Sequence, residues 1–164
     1  MAIAPKLTAL KEVHYTDIGH ITWDMTDFLE RIPTALHVFI VPEWLHISQR
    51  PSAITQHGST LRKLTISSFG RRRPDDILVT DADLVLLCKG LPHLEELGLD
   101  LDRDKAKNDW PYNTLDIIAG FPSLRRIQLS FELSERYLPP STPLVTVSAA
   151  RQLFSYLRER NKNI

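Results

Sequence analysis

The chain is poor in the features that announce most chemical functions. Its 164 residues contain one cysteine and six glycines, and twenty lysines and arginines cancel twenty aspartates and glutamates. A lone Cys88 excludes any internal disulfide framework and points to a reducing compartment, the cytoplasm or the nucleus. With no net charge there is no global field to draw the chain onto nucleic acid or an anionic membrane, so neither is an expected partner. No apolar run approaches membrane-spanning length, and the start, Met-Ala-Ile-Ala-Pro-Lys, lacks the apolar core of a signal peptide. There is no Asn-x-Ser/Thr acceptor site. A Gly-rich phosphate loop, a nucleophile elbow and a paired metal motif are also missing. The histidines at 14, 20, 37, 46, 57 and 93 never fall four apart, as a helical pair of metal ligands would. No catalytic residue, cofactor or metal is therefore expected, and the chain is not read as an enzyme. An apolar fraction of 43% and a charged fraction of 24% are ordinary for a globular domain, and the length suits about one.

What is present is a repeat. Leu91-Pro92-His93-Leu94-Glu95-Glu96-Leu97-Gly98-Leu99 returns as Phe121-Pro122-Ser123-Leu124-Arg125-Arg126-Ile127-Gln128-Leu129, each copy after a short apolar-patterned segment that ends in glycine, Gly90 or Gly120. Leu61 to Ile66, preceded by Gly58, carries the same Leu-x-x-Leu-x-Ile core, and Leu7 to Tyr15 matches with Leu7, Leu10, Val13 and Tyr15. A fifth copy spans Ile32 to Ile40, where the continuous apolar run Val38 to Val41 fits the template in either of two registers one residue apart. Anchored at Leu10, Ala35, Leu61, Leu94 and Leu124, the units are spaced by 25, 26, 33 and 30 residues. Apolar-Pro-x-Leu-x-x-Leu-x-Leu at such a period is the pattern of a leucine-rich solenoid, whose units run about 20 to 29 residues, so the later units carry insertions.

Each unit divides into a strand and a helix. Alternation places Leu97 and Leu99 on one face of the strand and Glu96, Gly98 and Asp100 on the other. Thr80-Asp81-Ala82-Asp83 reads as a helix start with a capping box, followed by Leu84, Leu87, Cys88 and Leu91 on one face and by Gly90 as terminator. Asn113-Thr114-Leu115-Asp116 reads as the same start again, with Gly120 as terminator, and Asp24 to Ile32 as an earlier version. Residues 43–51, 70–79 and 102–112 read as irregular connections. Pro139 to Pro143 breaks the rhythm before a β-prone run, Leu144 to Val147, and a helix from about Ser148 to Arg160 whose apolar stripe is Ala150, Leu153, Phe154 and Leu157. Residues 139–164 are thus expected to cap a single repeat domain covering residues 1–164, since an open-ended array needs a cap for solubility. The fold class expected is α/β, a leucine-rich-repeat-like solenoid with a parallel sheet on the concave side and short helices on the convex side.

Residues Thr80 to Leu101 and Asn113 to Phe131, with their capped helix, glycine, apolar-Pro and Leu-x-x-Leu-x-Leu, resemble the leucine-rich repeat domains of F-box proteins of the fungal type. Repeat-like sequence covers about Leu7 to Phe131. The resemblance implies a repeat arc that captures a substrate for a ubiquitin ligase; the F-box that docks such proteins onto the ligase is not found in these residues.

Weighed one by one, the candidate sites favour binding over chemistry. Asp100, Asp102 and Asp104 imitate the start of a calcium loop, but Lys105 and Pro111 stand where that loop needs glycine and a bidentate acid. Arg71-Arg72-Arg73 is followed at once by Asp75 and Asp76 and reads as an exposed loop. Cys88 reads as a buried structural thiol. Trp23, Trp44 and Trp110 read as plugs between units, with Trp110 and Tyr112 as the strongest candidates for an exposed aromatic anchor. The outward strand positions form the expected partner-binding surface: Glu12, His14, His37, Phe39, Lys63, Thr65, Glu96, Gly98, Asp100, Arg126, Gln128 and Ser130, with Phe39 as the apolar anchor. The function expected is a non-catalytic protein-protein interaction module, the substrate-receptor part of an F-box-like ubiquitin ligase, for an unidentified protein partner. The alternatives are a free-standing scaffold repeat or a cryptic enzyme.

Overall fold

A computed structural model describes residues 10–15, 25–32, 35–41, 51–67, 78–104, 108–131 and 142–164. Within them ten elements alternate strand with helix: β1 (Glu12–His14), α1 (Met25–Arg31), β2 (Val38–Val41), α2 (Ser52–Thr55), β3 (Lys63–Ile66), α3 (Asp81–Gly90), β4 (Glu96–Leu101), α4 (Tyr112–Ala119), β5 (Arg126–Phe131) and α5 (Val147–Arg160). The five strands form one sheet in strict chain order, β1-β2-β3-β4-β5, and every pairing is parallel. Helices keep the same order, each touching the next. Strand-helix-strand crossovers share one hand, so steps that all move one place in the same direction set the helices on a single face. No helix among the described residues is long and apolar enough to cross a membrane.

One backbone device repeats at every strand start. The carbonyls of Lys11, His37, Arg62 and Glu95 each accept from two consecutive amides of the following strand, His37 and Val38, Arg62 and Lys63, Glu95 and Glu96, Arg125 and Arg126, at 2.7–3.1 Å. This locks the register. Val13, Phe39, Leu64, Leu97 and Ile127 lie in one row across the sheet, and Val41, Ile66, Leu99 and Leu129 in the next. Phe39, Leu64, Leu97 and Leu99 are essentially inaccessible, as are Leu36, Leu61, Leu94 and Leu124 at the turns before the strands. Ile127 and Leu129, on the edge strand, are only half-buried.

The register resolves the ambiguity of the second unit against the expected anchor. Leu36, buried, takes the place of Ala35, and Ala35 instead adopts a left-handed φ of 38° on the surface. Phe39 is 0% exposed and belongs to the inner row. The physical reason is volume: facing inward, Phe39 fills a core row otherwise built of Val, Leu and Ile, and the slip that exposes it would turn Val38 and Ile40 inward instead.

The helices confirm some local expectations and correct others. The Thr80–Asp83 capping box is formed in both directions, with Asp83 N–H donating to Thr80 Oγ1 at 3.2 Å and Thr80 N–H to Asp83 Oδ2 at 3.4 Å. The matching start at Asn113 is not used: α4 opens at Tyr112 behind Pro111 with no side-chain cap, and Thr114 Oγ1 donates to Asp81 Oδ1 of the neighbouring unit at 2.7 Å. A short α2 forms just after residue 51. The β-prone run 144–147 makes no strand. Thr146 Oγ1 accepts from Ala149 N–H and draws Val147 into the first turn of α5, whose buried side chains are Ala149, Leu153 and Leu157 while Phe154 faces water. The glycines stand where the sequence places the helix ends, Gly90 as the last residue of α3 and Gly120 as the cap of α4, although Gly120 makes no left-handed turn and has an ordinary helical φ of −72°. Gly58 and Gly90 are needed for close approach: a methyl group on Gly58 would drive into the Gly90 carbonyl oxygen, and one on Gly90 into the Thr55 side chain. Trp23, Trp44, Arg71 to Arg73, Lys105 and Lys107 lie outside the described residues.

After α5 the chain closes the turn side of the array with two amides. Asn161 Nδ2 donates to the carbonyls of Ala119 and Phe121 at 3.0 and 2.8 Å, and Asn163 Nδ2 to Pro122 O at 2.9 Å, as Ser123 Oγ does to Pro92 O one unit earlier. Leu97→Ala should cost about 2–5 kcal/mol, Ile127→Ala less because its site is half open, and Gly58→Ala about 1–3 kcal/mol by overpacking. Urea unfolding followed by circular dichroism checks the order.

Candidate functional site

The face of the sheet opposite the helices is laid out in rows by the strand register. Glu12, Val38, Lys63, Glu96 and Arg126 make the first row, and His14, Ile40, Thr65, Gly98 and Gln128 the second. Asp100 and Ser130 are paired beyond them. Chemically the first row is an ion ladder: Lys63 Nζ lies 3.1 Å from Glu96 Oε2, and Arg126 Nη1 pairs with Glu96 Oε1. One carboxylate thus serves two cations on the flanking strands. Arg126 remains largely open to solvent, with 77% of its side chain exposed. At the far end of the row His14 Nε2 stands 3.5 Å from Glu12 Oε2. The second row is lower. Gly98 leaves room into which the Thr65 side chain leans, and a methyl group on Gly98 would meet Thr65 Cγ2 at 2.8 Å.

Several expected members of this surface sit elsewhere. Phe39 is in the core, so the apolar patch on the face comes from half-buried Val38 and Ile40, which the sequence reading missed. His37 belongs to the turn row with Lys11, Arg62 and Glu95, its carbonyl engaged by the next strand. Thr65 and Asp100 point outward by register but are buried, and Asp100 Oδ1 accepts from Ser67 Oγ at 2.7 Å. Glu12, His14, Lys63, Glu96, Arg126 and Gln128 keep the expected outward positions. Trp110 is 6% exposed and packs edge-on against Phe131 at 5.0 Å, which removes it as a surface anchor. Tyr112 is half-buried against Tyr156 at 4.7 Å.

Behind this face a cavity of about 400 Å³ opens between the end of β4 and the starts of α3 and α4, lined by Asp81, Asp100, Arg103, Asp109, Trp110 and Thr114 among others. Arg103 spans it, with Nε donating to Pro143 O at 2.8 Å and its guanidinium about 6 Å from the Trp110 and Phe131 ring centres. Asp104 and Asp109 exchange backbone hydrogen bonds, and Asp109 Oδ1 accepts from the Trp110 N–H at 2.7 Å. Among the described residues no three or more His, Cys, Asp or Glu are placed to share a metal ion.

Titration follows the same geometry. The Lys63 ammonium, hydrogen-bonded to Glu96, holds that carboxyl below its ordinary value against the opposing effect of partial burial, with Arg126 adding to the shift. Burial lowers His57 below its ordinary 6.5. It raises the half-buried Cys88 thiol above its ordinary value, with the Lys89 charge opposing. Comparison of the chain with protein-family models, with curated proteins and with solved structures returns no match.

Two outcomes follow. In an NMR pH titration Glu96 should titrate below an ordinary glutamate, and Lys63→Met should move it upward. His57 is easier to protonate unfolded than folded. Its contribution to stability is therefore complete above about 6.5 and is lost as pH falls from there through the lowered folded value. Thermal melts at stepped pH check this, with His57→Gln expected to flatten the slope.

Proposed function

We propose that the chain is a non-catalytic protein-binding module, a leucine-rich-repeat-like solenoid that docks its partner on the face opposite the helices. The observation that carries this reading is the ladder Lys63–Glu96–Arg126. Three neighbouring strands present charges of alternating sign on the face away from the helix layer, next to a half-buried apolar pair, Val38 and Ile40. A partner would meet a mixed surface on which electrostatics sets specificity and association rate more than affinity. The repeat reading is supported by the recurring template and by the identical two-amide hydrogen bond at four successive strand starts. The ligase part, a substrate receptor of F-box type, rests on the resemblance of Thr80 to Leu101 and Asn113 to Phe131.

The ladder supplies its own test. Reversing all three members, Lys63→Glu, Glu96→Lys and Arg126→Glu, preserves the internal pairing and inverts the pattern a partner reads. Exposed pairs are worth about 0.2–1 kcal/mol, so the melting temperature should hardly move. Proteins captured by the wild-type chain and quantified by mass spectrometry should be lost on the triple variant; an unchanged set would rule out this face. The ligase part is tested by whether the parent reading frame carries an F-box upstream of Met1 and whether the longer product co-purifies with a cullin scaffold.

A further inference from the structure

Helix α5 presents three distinct sides. Ala149, Leu153 and Leu157 are buried against the array, and Ser148, Gln152, Ser155 and Glu159 form an exposed polar side. Between these runs a third stripe, Val147, Arg151, Phe154 and Arg158, spaced i, i+4, i+7 and i+11 along one side of the helix. All four are exposed, Val147 by 70% and Phe154 by 43%. Leu144 and Val145, just before the helix, are exposed as well. Of the six large apolar side chains that the described residues leave open to water, four fall within residues 144–154.

The arginines of the stripe contrast with their neighbour. Arg160 is held 2.6 Å from Asp116 and lies 3.5 Å over the Tyr156 ring, fastening α5 to α4. The side chains of Arg151 and Arg158 make no ion pair or hydrogen bond among the described residues. Each stands one turn from a bulky apolar side chain.

From this we infer that the stripe is a docking site for an acidic amphipathic helix of a partner protein, separate from the sheet face. Apolar and cationic groups alternating by turns are matched by a helix that packs along α5 and offers leucine-like side chains with carboxylates beside them, charge complementarity setting orientation. A second copy of the chain brings the same arginines and no carboxylate in the stripe. A bilayer holds helices by a broad apolar face, whereas this stripe has two bulky apolar groups and borders a polar side that includes Glu159.

The test uses the full chain and a fluorescently labelled helical peptide with leucines along one face and glutamates on both flanks. A companion peptide carries lysines in place of the glutamates, and vesicles of phosphatidylserine and phosphatidylcholine serve as a third probe. The acidic peptide should bind and the basic one should not. Arg151→Glu with Arg158→Glu should weaken the acidic peptide by about tenfold or more and admit the basic one. Phe154→Ser, which keeps both arginines, should also weaken binding, with circular dichroism unchanged in each variant because all the positions are exposed. Binding of the acidic peptide that survives both variants, or no peptide binding at all, would overturn the proposal. So would vesicle binding without peptide binding, or self-association that the arginine reversals abolish.

Discussion

Everything in this fold hangs on a carbonyl that accepts two hydrogen bonds. At Lys11, His37, Arg62 and Glu95 the same oxygen takes both of the first amides of the next strand, using its two lone pairs. Because side chains alternate with a period of two, a slip of one residue would send every core side chain of a strand to the wrong face. The doubled bond fixes where each strand begins against its predecessor. From it follow the continuous inner rows, and on the other face the alignment that brings Lys63, Glu96 and Arg126 within reach of one another. A charged ladder of this kind records the register: it exists only if three strands are placed to within one residue.

A second constraint acts on the helices. Strands pair about 4.8 Å apart, while helix axes pack no closer than about 8–10 Å. A chain that alternates one helix with each strand must reconcile the two spacings. Here the early helices are short, four residues in α2 and seven in α1, and Gly58 meets the Gly90 backbone without side chains between them. Gly90, which ends α3, is thus also a spacer between units. Curvature toward the sheet side, which the solenoid reading implies, relieves the same mismatch.

How far the sequence is legible depends on how much each position is overdetermined. Leu94, Leu97, Leu124 and the Thr80–Asp83 cap are placed by local pattern alone, because spacing and chemistry agree there. The second unit was open because Val38 to Val41 is apolar throughout, and only cross-strand packing decides that Phe39 goes in and Val38 stays out. Trp110 is another case in which local sequence cannot rank two uses of one side chain; its contact with Phe131 spans 21 residues of chain. Asp100 and Thr65 follow the outward alternation and are nonetheless covered, since alternation fixes direction and says nothing about what lies above. The stripe expected on α5 holds at Leu153 and Leu157 and fails at Ala150 and Phe154, since Ala149 takes the core position and Phe154 faces water.

The two asparagines behind α5 bear on how such an array changes length. The carbonyl of Pro92 at one turn is satisfied by Ser123 of the following unit. Here the side-chain amides of Asn161 and Asn163 take the carbonyls of Ala119, Phe121 and Pro122. A further unit arriving from the C-terminal side would have to displace these amides before it could dock. A unit duplicated between β3 and β5 meets no such obstacle, because both of its neighbours already offer the matching edges. In the proposed solenoid, growth by internal duplication would meet less obstruction than growth by extension, and the final helix with its amides could be carried along unchanged.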